Sequence, residues 1–221
     1  MTVDDHDHLS KLAAIIYRSG EDDVDVLIGS FAADLICEGH RIGGVVQQNG
    51  NGNGGPRDLM TMIDLMTGRA IPICQTLGPG AQSCKLDPSG IAEAAVSVSR
   101  AIAESVELVI VNKFSKQEAA GGGLRAEIAE AVVAGLPILT AVPDKCYDAW
   151  IQFTGGFGTT LACERRVIDA WWREMSGRES RRRVLEKFNQ RIAPPTGMEV
   201  DSSVPLHSSL FDHDVRRLYH G

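Results

Sequence analysis

Cationic and glycine residues are concentrated in the segment VNKFSKQEAAGGGLRAE, which begins at Val111 directly after an apolar run. Glycines at the start of a predicted helix would expose backbone N–H groups, and these attract anions together with nearby cationic side chains. The alternative is that the lysines are solvated surface charges and the glycines only form a turn. The candidate ligand-binding residues are Lys113, Lys116, Gln117, Gly121, Gly122, Gly123 and Arg125.

A second candidate is the turn SGEDD, which lies between a predicted strand and a predicted helix. A phosphate loop in this position needs backbone N–H groups, a lysine and a hydroxyl around the anion. Ser19 and Gly20 are present, but carboxylates replace the lysine. At about 5 Å and an effective dielectric near 20, each carboxylate repels a unit phosphate charge by roughly 3 kcal/mol. Tight unassisted triphosphate binding is therefore not expected.

The carboxylates of this turn allow two interpretations. Asp22, Asp23 and Asp25 could contact a metal ion such as Mg²⁺ or the polar part of a ligand. Alternatively, they only favour the first turn of the helix that follows, because acidic residues are stabilised at a helix N-terminus.

A third candidate is a pair of thiols, Cys74 and Cys84, which bracket a Gly-Pro-Gly loop beside Lys85. Thiolates and a lysine could hold a soft metal or serve redox chemistry, and Lys85 could assist anion binding. The alternative is that both thiols are inert. Five cysteines without a CxxC pair indicate neither a disulfide framework nor a zinc ribbon, so a reducing compartment is expected.

Composition limits the class of protein. The 221 residues, 43% of them hydrophobic, suffice for one buried α/β core. Up to residue 160 there are eleven Lys and Arg against twenty Asp and Glu, which disfavours nucleic-acid binding. Because the sequence shows no signal peptide and no apolar run approaching eighteen residues, we expect a cytoplasmic protein without membrane insertion.

The spacing of apolar residues predicts the elements that position these groups. Strands and helices alternate from residue 12 to residue 142, interrupted by a hairpin-like pair around Gly68. This alternation predicts a doubly wound α/β domain with a mainly parallel sheet and an inserted β-hairpin. Ligands then sit beyond the carboxyl ends of the strands, where the first two candidate sites lie.

Four regions are predicted along the chain. They are a flexible tail over residues 1–10, the α/β domain over 11–162, a helical extension over 163–191 and a Pro/Ser-rich tail over 192–221. In the extension, Trp171, Trp172 and the arginine run at 181–183 could dock a partner or a second copy.

The combination of the SGEDD turn with RIGGVVQ, DLMTGR, QTLGPGAQSCKLDP, VNKFSKQEAAGGGLR and LPILTAVPDKCYDAW resembles the uncharacterised DUF2478 family over roughly residues 11–162. Members are labelled molybdenum-transporter ATP-binding or nucleoside-triphosphatase-like proteins. The layout is more distantly similar to THEP1-type nucleoside triphosphatases, whose G-x-R-V-G-G and D-L-x-T-G elements match here at Arg41 and Asp64. The resemblance implies a P-loop-like fold. The absent Gly-Lys-Thr and the Asn112-Lys113 pair depart from the catalytic pattern.

Three functions are compatible with these observations. The first is a degenerate P-loop α/β protein that binds a small anion or nucleotide-like ligand, and the family labels suggest a molybdate-like oxyanion. The second is a Mg²⁺-dependent nucleoside triphosphatase in which Lys113 or Lys116 replaces the missing lysine. The third is a non-catalytic interaction module that forms a homo-oligomer through its C-terminal helices.

Overall fold

The computed structural model describes residues 10–49, 60–75 and 85–192. The strands are β1 (Leu12–Tyr17), β2 (Ile42–Asn49), β3 (Met60–Asp64), β4 (Ala70–Pro72), β5 (Cys74–Gln75), β6 (Lys85–Leu86), β7 (Leu108–Val111), β8 (Ile138–Pro143) and β9 (Thr159–Ala162). The helices are α1 (Val24–Cys37), α2 (Pro88–Ala103), α3 (Lys116–Ala119), α4 (Arg125–Val133), α5 (Tyr147–Thr154) and α6 (Arg165–Ile192).

Within these residues, seven strands form one sheet in the order β4-β3-β2-β7-β8-β1-β9. Strands β2, β7, β8, β1 and β9, in this order across the sheet, pair in parallel with their neighbours. Strands β3 and β4 add an antiparallel hairpin at the β2 edge. The predicted α/β class, mainly parallel sheet and inserted hairpin are confirmed. Parallel pairing places the carboxyl ends of β1, β2, β7 and β8 along one edge, where their following loops meet.

The central strands β7 and β8 are apolar except for Thr140, whose hydroxyl donates to the Val111 carbonyl, because helices cover both faces of the sheet. Strands β7 and β8 are buried along their whole length. One hydrophobic cluster joins the sheet to α2, α4 and α5, and the other joins it to α1 and the first part of α6. Asp23 caps α1 by accepting a hydrogen bond from the N–H of Val26, as an acidic N-cap residue should.

The RIGG and DLMTG motifs have packing roles in the fold. Gly44 in RIGG has a φ of +100°, and a Cβ at this position would collide with the backbone carbonyl of Ile110 on the neighbouring strand. Only glycine therefore allows β2 and β7 to approach at this point. The motif residue is explained by contact between strands rather than by contact with a ligand.

In the DLMTG motif, Asp64 is fully buried and organises the turn of the hairpin. Its Oδ1 accepts hydrogen bonds from the N–H groups of Met66 at 2.9 Å and Thr67 at 3.2 Å, and Oδ2 pairs with Arg100. Burial alone raises the pKa of Asp64. The Ser97 hydroxyl, the two N–H groups and the Arg100 guanidinium outweigh that effect, so the net pKa is lowered.

The expected C-terminal helix is present, but its first part belongs to the α/β body. The chain divides into two compact units, Met1–Ser180 and Arg181–Gly221. Trp171 and Trp172 are only 1% and 5% exposed and pack in the core beside α1. The expectation that these tryptophans dock a partner is therefore wrong, because the body's own core buries them.

None of the helices within the described ranges is both long and apolar enough to cross a lipid bilayer. Two of the predicted tails, over residues 1–10 and 192–221, fall almost wholly outside these ranges.

Candidate functional site

Lys113 follows β7 and lies in an ion pair with Asp25 in the first turn of α1. The Lys113 Nζ is 3.0 Å from Oδ1 of Asp25 and 3.2 Å from Oδ2. Asn112, which is fully buried, donates a hydrogen bond from Nδ2 to Oδ1 of Asp25 at 2.9 Å. The Lys113 ammonium also stands 5.4 Å from the ring centroid of Tyr17. Asp25 thus serves as the counter-ion of a lysine and not as an open ligand position.

The segment between Ser115 and α4 is organised around a buried carboxylate. Glu118 accepts hydrogen bonds from the N–H of Ser115 at 2.8 Å and from the N–H of Leu124 at 3.1 Å. This carboxylate occupies the N-terminus of α4, which is the position that an external anion would take. The N-terminus of α4, which favours a negative charge, therefore already has the Glu118 carboxylate beside it.

The glycines of this segment do not form the expected anion-binding turn. The N–H groups of Gly121 and Gly122 donate to the carbonyls of Glu118 and Gln117 at 3.1 and 2.9 Å. Gly123 has a φ of +59°, and a Cβ there would collide with the Glu118 carboxylate. The expectation of open amides at Gly121 and Gly122 is wrong because internal acceptors already satisfy them, and Gly123 makes room for Glu118.

Arg125 makes its contacts with Glu118 and Phe153. Its guanidinium donates to the backbone carbonyl of Glu118 at 3.0 Å and lies 4.2 Å from the ring centroid of Phe153. Arg125 is not among the described residues that line the neighbouring cleft. The structure therefore separates Arg125 from the lysines with which the sequence had grouped it.

A cleft of about 550 Å³ opens at the carboxyl ends of the parallel strands. Three lysines line it, namely Lys113 from the loop after β7, Lys116 at the start of α3 and Lys145 from the turn after β8. Ser19 and Gln117, two of the predicted ligand-binding residues, also belong to the lining. The opposite wall is apolar and consists of Met60, Met62, Ile73, Leu86 and Ile91. The cleft therefore combines a cationic pole with an apolar wall.

The cations of this cleft differ in their pairing. Lys113 is held by Asp25, whereas the side chains of Lys116 and Lys145 have no ion-pair partner within the described part of the chain. Both of these lysines are exposed. An anionic ligand can therefore bind to the ammonium groups of Lys116 and Lys145 without breaking an ion pair.

A second cavity of about 420 Å³ adjoins the SGEDD turn. Glu21, Asp22, Asp23 and Asp25 line it together with Gly20. Asp22 accepts a hydrogen bond from the N–H of Arg18 at 2.7 Å, and Asp23 caps α1.

The acidic residues of this cavity do not assemble the expected metal site. Residues 10–49, 60–75 and 85–192 contain no group of three or more His, Cys, Asp or Glu side chains arranged to hold a metal ion. The physical reason is that Asp22, Asp23 and Asp25 are each directed to a different partner, respectively the Arg18 N–H, the Val26 N–H and Lys113.

The predicted thiol site is only partly described. Cys74 is disulfide-bonded, contrary to the expectation of a chain without disulfides, so it is not a thiolate ligand. An odd cysteine count without a CxxC pair gave no signal for this bond. Cys84 and the side chain of Lys85 lie outside the described residues. Burial, followed by the carboxylates of Asp22 and Asp23, raises the pKa of the Cys163 thiol.

Sequence reasoning missed Lys145 and the apolar wall of the cleft. Lys145 follows a predicted strand, as Lys113 does, so its position after β8 was the signal that could have identified it. The wall combines residues from the hairpin, from β6 and from α2. No local pattern predicts that these three elements meet.

The chain is 59% identical over 197 residues to a protein named "Molybdenum import ATP-binding protein ModC 2" from Bradyrhizobium diazoefficiens (strain JCM 10833 / BCRC 13528 / IAM 13628 / NBRC 14792 / USDA 110). The match covers 89% of this chain but 21% of that protein, so the chain spans about a fifth of the relative's length.

The solved structure is described as "Solution Structure of a Human Cancer-Related Nucleoside Triphosphatase". It is 16% identical, with a TM-score of 0.46 over 60% of this chain and 76% of that one. This similarity is too low to assign a function. The model of the family described as "Protein of unknown function (DUF2478)" matches residues 12–171, and the chain therefore belongs to the DUF2478 family.

Proposed function

We propose that the cleft at the carboxyl ends of the strands binds a small anionic, nucleotide-like ligand. The observation that carries this proposal is the convergence of Lys113, Lys116 and Lys145 on one cavity. These are three of the six lysines in the chain. Two of them have no carboxylate partner among the described residues, so an incoming anion gains their attraction without first displacing a counter-ion.

The apolar wall supports a ligand with an apolar or aromatic body. A bare inorganic ion would contact the lysines but leave Met60, Met62 and Ile73 without a partner. A nucleoside could pack its base against this wall while its phosphate lies against Lys116 and Lys145. Ligand pockets commonly combine such apolar surfaces with a few convergent polar groups.

Two ligands are suggested by the name of the curated relative, which mentions both molybdenum and ATP. Because this chain corresponds to about a fifth of that protein, neither ligand is carried over directly. We include molybdate and ATP as probes of the cleft, together with AMP.

The test is isothermal titration calorimetry of the full chain with AMP, ATP and molybdate. The double variant Lys116→Ala/Lys145→Ala should weaken nucleotide binding by at least about tenfold, which corresponds to about 1.4 kcal/mol. Lys187→Ala is the matched control, since it removes one exposed lysine outside the cleft. Equal affinities of the double variant and the wild type would contradict the proposal.

Binding without hydrolysis is the form of this function that we favour over a triphosphatase. The SGEDD turn has no lysine, and Lys113, the nearest substitute, is engaged by Asp25. Phosphate release from Mg²⁺-ATP is the discriminating measurement. Turnover that Lys113→Ala abolishes would establish the hydrolase instead.

A homo-oligomer formed by the C-terminal helix remains a second candidate. Its earlier support from the two tryptophans is lost, but Val184, Leu185 and Phe188 in the second unit are 66%, 61% and 58% exposed. A second copy of this helix would cover such side chains. Light scattering should then give a lower molar mass for the variant Leu185→Ser/Phe188→Ser than for the wild type. Identical monomeric masses of the two proteins would exclude self-association.

A further inference from the structure

The cationic cleft and the acidic cavity share a boundary. Tyr17, Ser19 and Lys113 line both cavities, so the two spaces meet at the ends of β1 and β7. From this arrangement we infer that the cleft selects ligands with one compact anionic group and discriminates against polyphosphates. The inference rests on the proposed function and names the class of ligand that the same site would accept.

The acidic side of the boundary carries more negative than positive charge. Glu21 pairs with Arg18 at 3.0 Å, and Asp25 pairs with Lys113. Asp22 and Asp23 accept backbone hydrogen bonds from Arg18 and Val26, and the Arg18 guanidinium that pairs with Glu21 also interacts electrostatically with Asp22. Four carboxylates, those of Glu21, Asp22, Asp23 and Asp25, thus share two basic side chains, Arg18 and Lys113, and the shared boundary keeps an excess of negative charge.

The cationic side offers two lysines without an ion-pair partner among the described residues, which is enough for one anionic group. Lys116 and Lys145 are the cations without a partner, whereas the charge of Lys113 is already compensated by Asp25. With a base against the apolar wall, a single phosphate can lie against Lys116 and Lys145. A second or third phosphate that extends past Lys113 approaches the carboxylates of Asp22 and Asp23 and is repelled.

The affinity order of AMP, ADP and ATP tests this inference. Titrations are made at low ionic strength with EDTA, since salt would screen the repulsion and divalent cations would neutralise the phosphates. We expect AMP to bind at least about tenfold more tightly than ATP, with ADP in between. Binding is read out by calorimetry, so the result does not depend on any catalytic activity.

The variant Asp22→Asn/Asp23→Asn tests the cause of the order. Asparagine keeps an acceptor oxygen for the N–H of Arg18 and is as good an N-cap as aspartate, so the turn and α1 should be retained. In this variant we expect ATP to bind within about threefold of AMP, while the AMP affinity stays unchanged. Asp148→Asn, which removes one exposed charge from α5 away from both cavities, should preserve the wild-type order.

Each other outcome has a distinct meaning. Tightest binding of ATP by the wild type in EDTA would overturn the inference and leave the proposed function intact. The same order in wild type and in the double variant would also overturn it, because the acidic cavity would then not be the cause. Mg²⁺-dependent tight ATP binding that the double variant loses would show instead that the cavity accepts a cation with the polyphosphate. No binding of any nucleotide or of molybdate would overturn the proposed function, and the inference with it.

Discussion

Lys113 and Asp25, which lie 88 positions apart in the chain, form the ion pair that joins the loop after β7 to the first turn of α1. Both side chains are largely buried, with 17% of Lys113 and 11% of Asp25 exposed. The pair fixes the position of a cation exactly where the cleft meets the acidic turn. It also gives the buried carboxylate a counter-charge that the sequence alone did not assign to it.

Removing the cation of this pair should destabilise the fold. Lys113→Met leaves Asp25 with a hydrogen bond from Asn112 but without its counter-ion, so we expect the free energy of unfolding to fall by about 2–3 kcal/mol. Urea denaturation at neutral pH measures the change. Arg166→Met is the control, because its exposed pair with Glu164 should contribute less than about 1 kcal/mol. Equal effects of the two substitutions would contradict a structural role for the Lys113–Asp25 pair.

Acidification should weaken the fold through Asp64. Its pKa in the folded chain is lowered, so its stabilising contribution is complete above the unfolded value of about 4 and is lost as the pH falls through the folded value. Asp64→Asn should lower the free energy of unfolding at neutral pH by about 1–3 kcal/mol, because the pair with Arg100 is broken. It should also reduce the pH dependence of unfolding below about pH 4. If the free energy of unfolding of this variant, measured with urea, depends on pH below about pH 4 as strongly as that of the wild type, Asp64 is not the titrating group.

Gly44 should not tolerate a side chain. Gly44→Ala places a methyl group against the Ile110 carbonyl at a φ that alanine rarely adopts, so we expect a loss of about 3 kcal/mol or more. Gly29→Ala in α1 is the control, since open space surrounds that position and alanine favours a helix by about 1 kcal/mol over glycine. In thermal unfolding, the Tm of Gly44→Ala should lie below that of the wild type and the Tm of Gly29→Ala above it. A Gly44→Ala variant as stable as the wild type would refute the packing explanation of the RIGG motif.

Cys163 should react slowly with alkylating reagents. Burial raises the pKa of this thiol, and the carboxylates of Asp22 and Asp23 raise it further. The rate of iodoacetamide labelling, followed at the Cys163 peptide by mass spectrometry, should therefore rise with a midpoint at a higher pH than that of an ordinary exposed cysteine. Asp22→Asn should shift that midpoint downward. A midpoint that does not respond to this substitution would mean that the Asp22 carboxylate does not perturb the thiol.

The sheet was largely predictable because its strands are continuous apolar runs. Strands β1, β7 and β8 and helices α1 and α2 follow directly from apolar spacing and from N-cap residues such as Asp87. The short strand β9 and helix α5 were missed, since four and eight residues carry too little periodic pattern. Pairing along β1 defines β9, and such pairing is a long-range contact.

The candidate site was less predictable than the sheet because it depends on contacts between distant segments. The positions of Lys113 and Lys116 at a strand end could be inferred from the loop after β7. Their environment could not, because Asp25 reaches Lys113 from the first crossover and Lys145 arrives from the turn after β8. Within the segment itself, the Glu118 carboxylate accepts a hydrogen bond from the N–H of Leu124. It thereby occupies the position at which the glycines and lysines of the sequence had suggested an anion.

The tryptophans of α6 also determine how the chain can be dissected. The core on the α1 side of the sheet includes four residues from successive turns of α6, namely Ile168, Trp171, Trp172 and Met175. This part of α6 therefore belongs to the interior of the α/β body. A fragment ending at residue 162 would present that interior to water and would be expected to aggregate during expression. Fragments intended for crystallisation or NMR should therefore extend at least to Ser180, the last residue of the first compact unit.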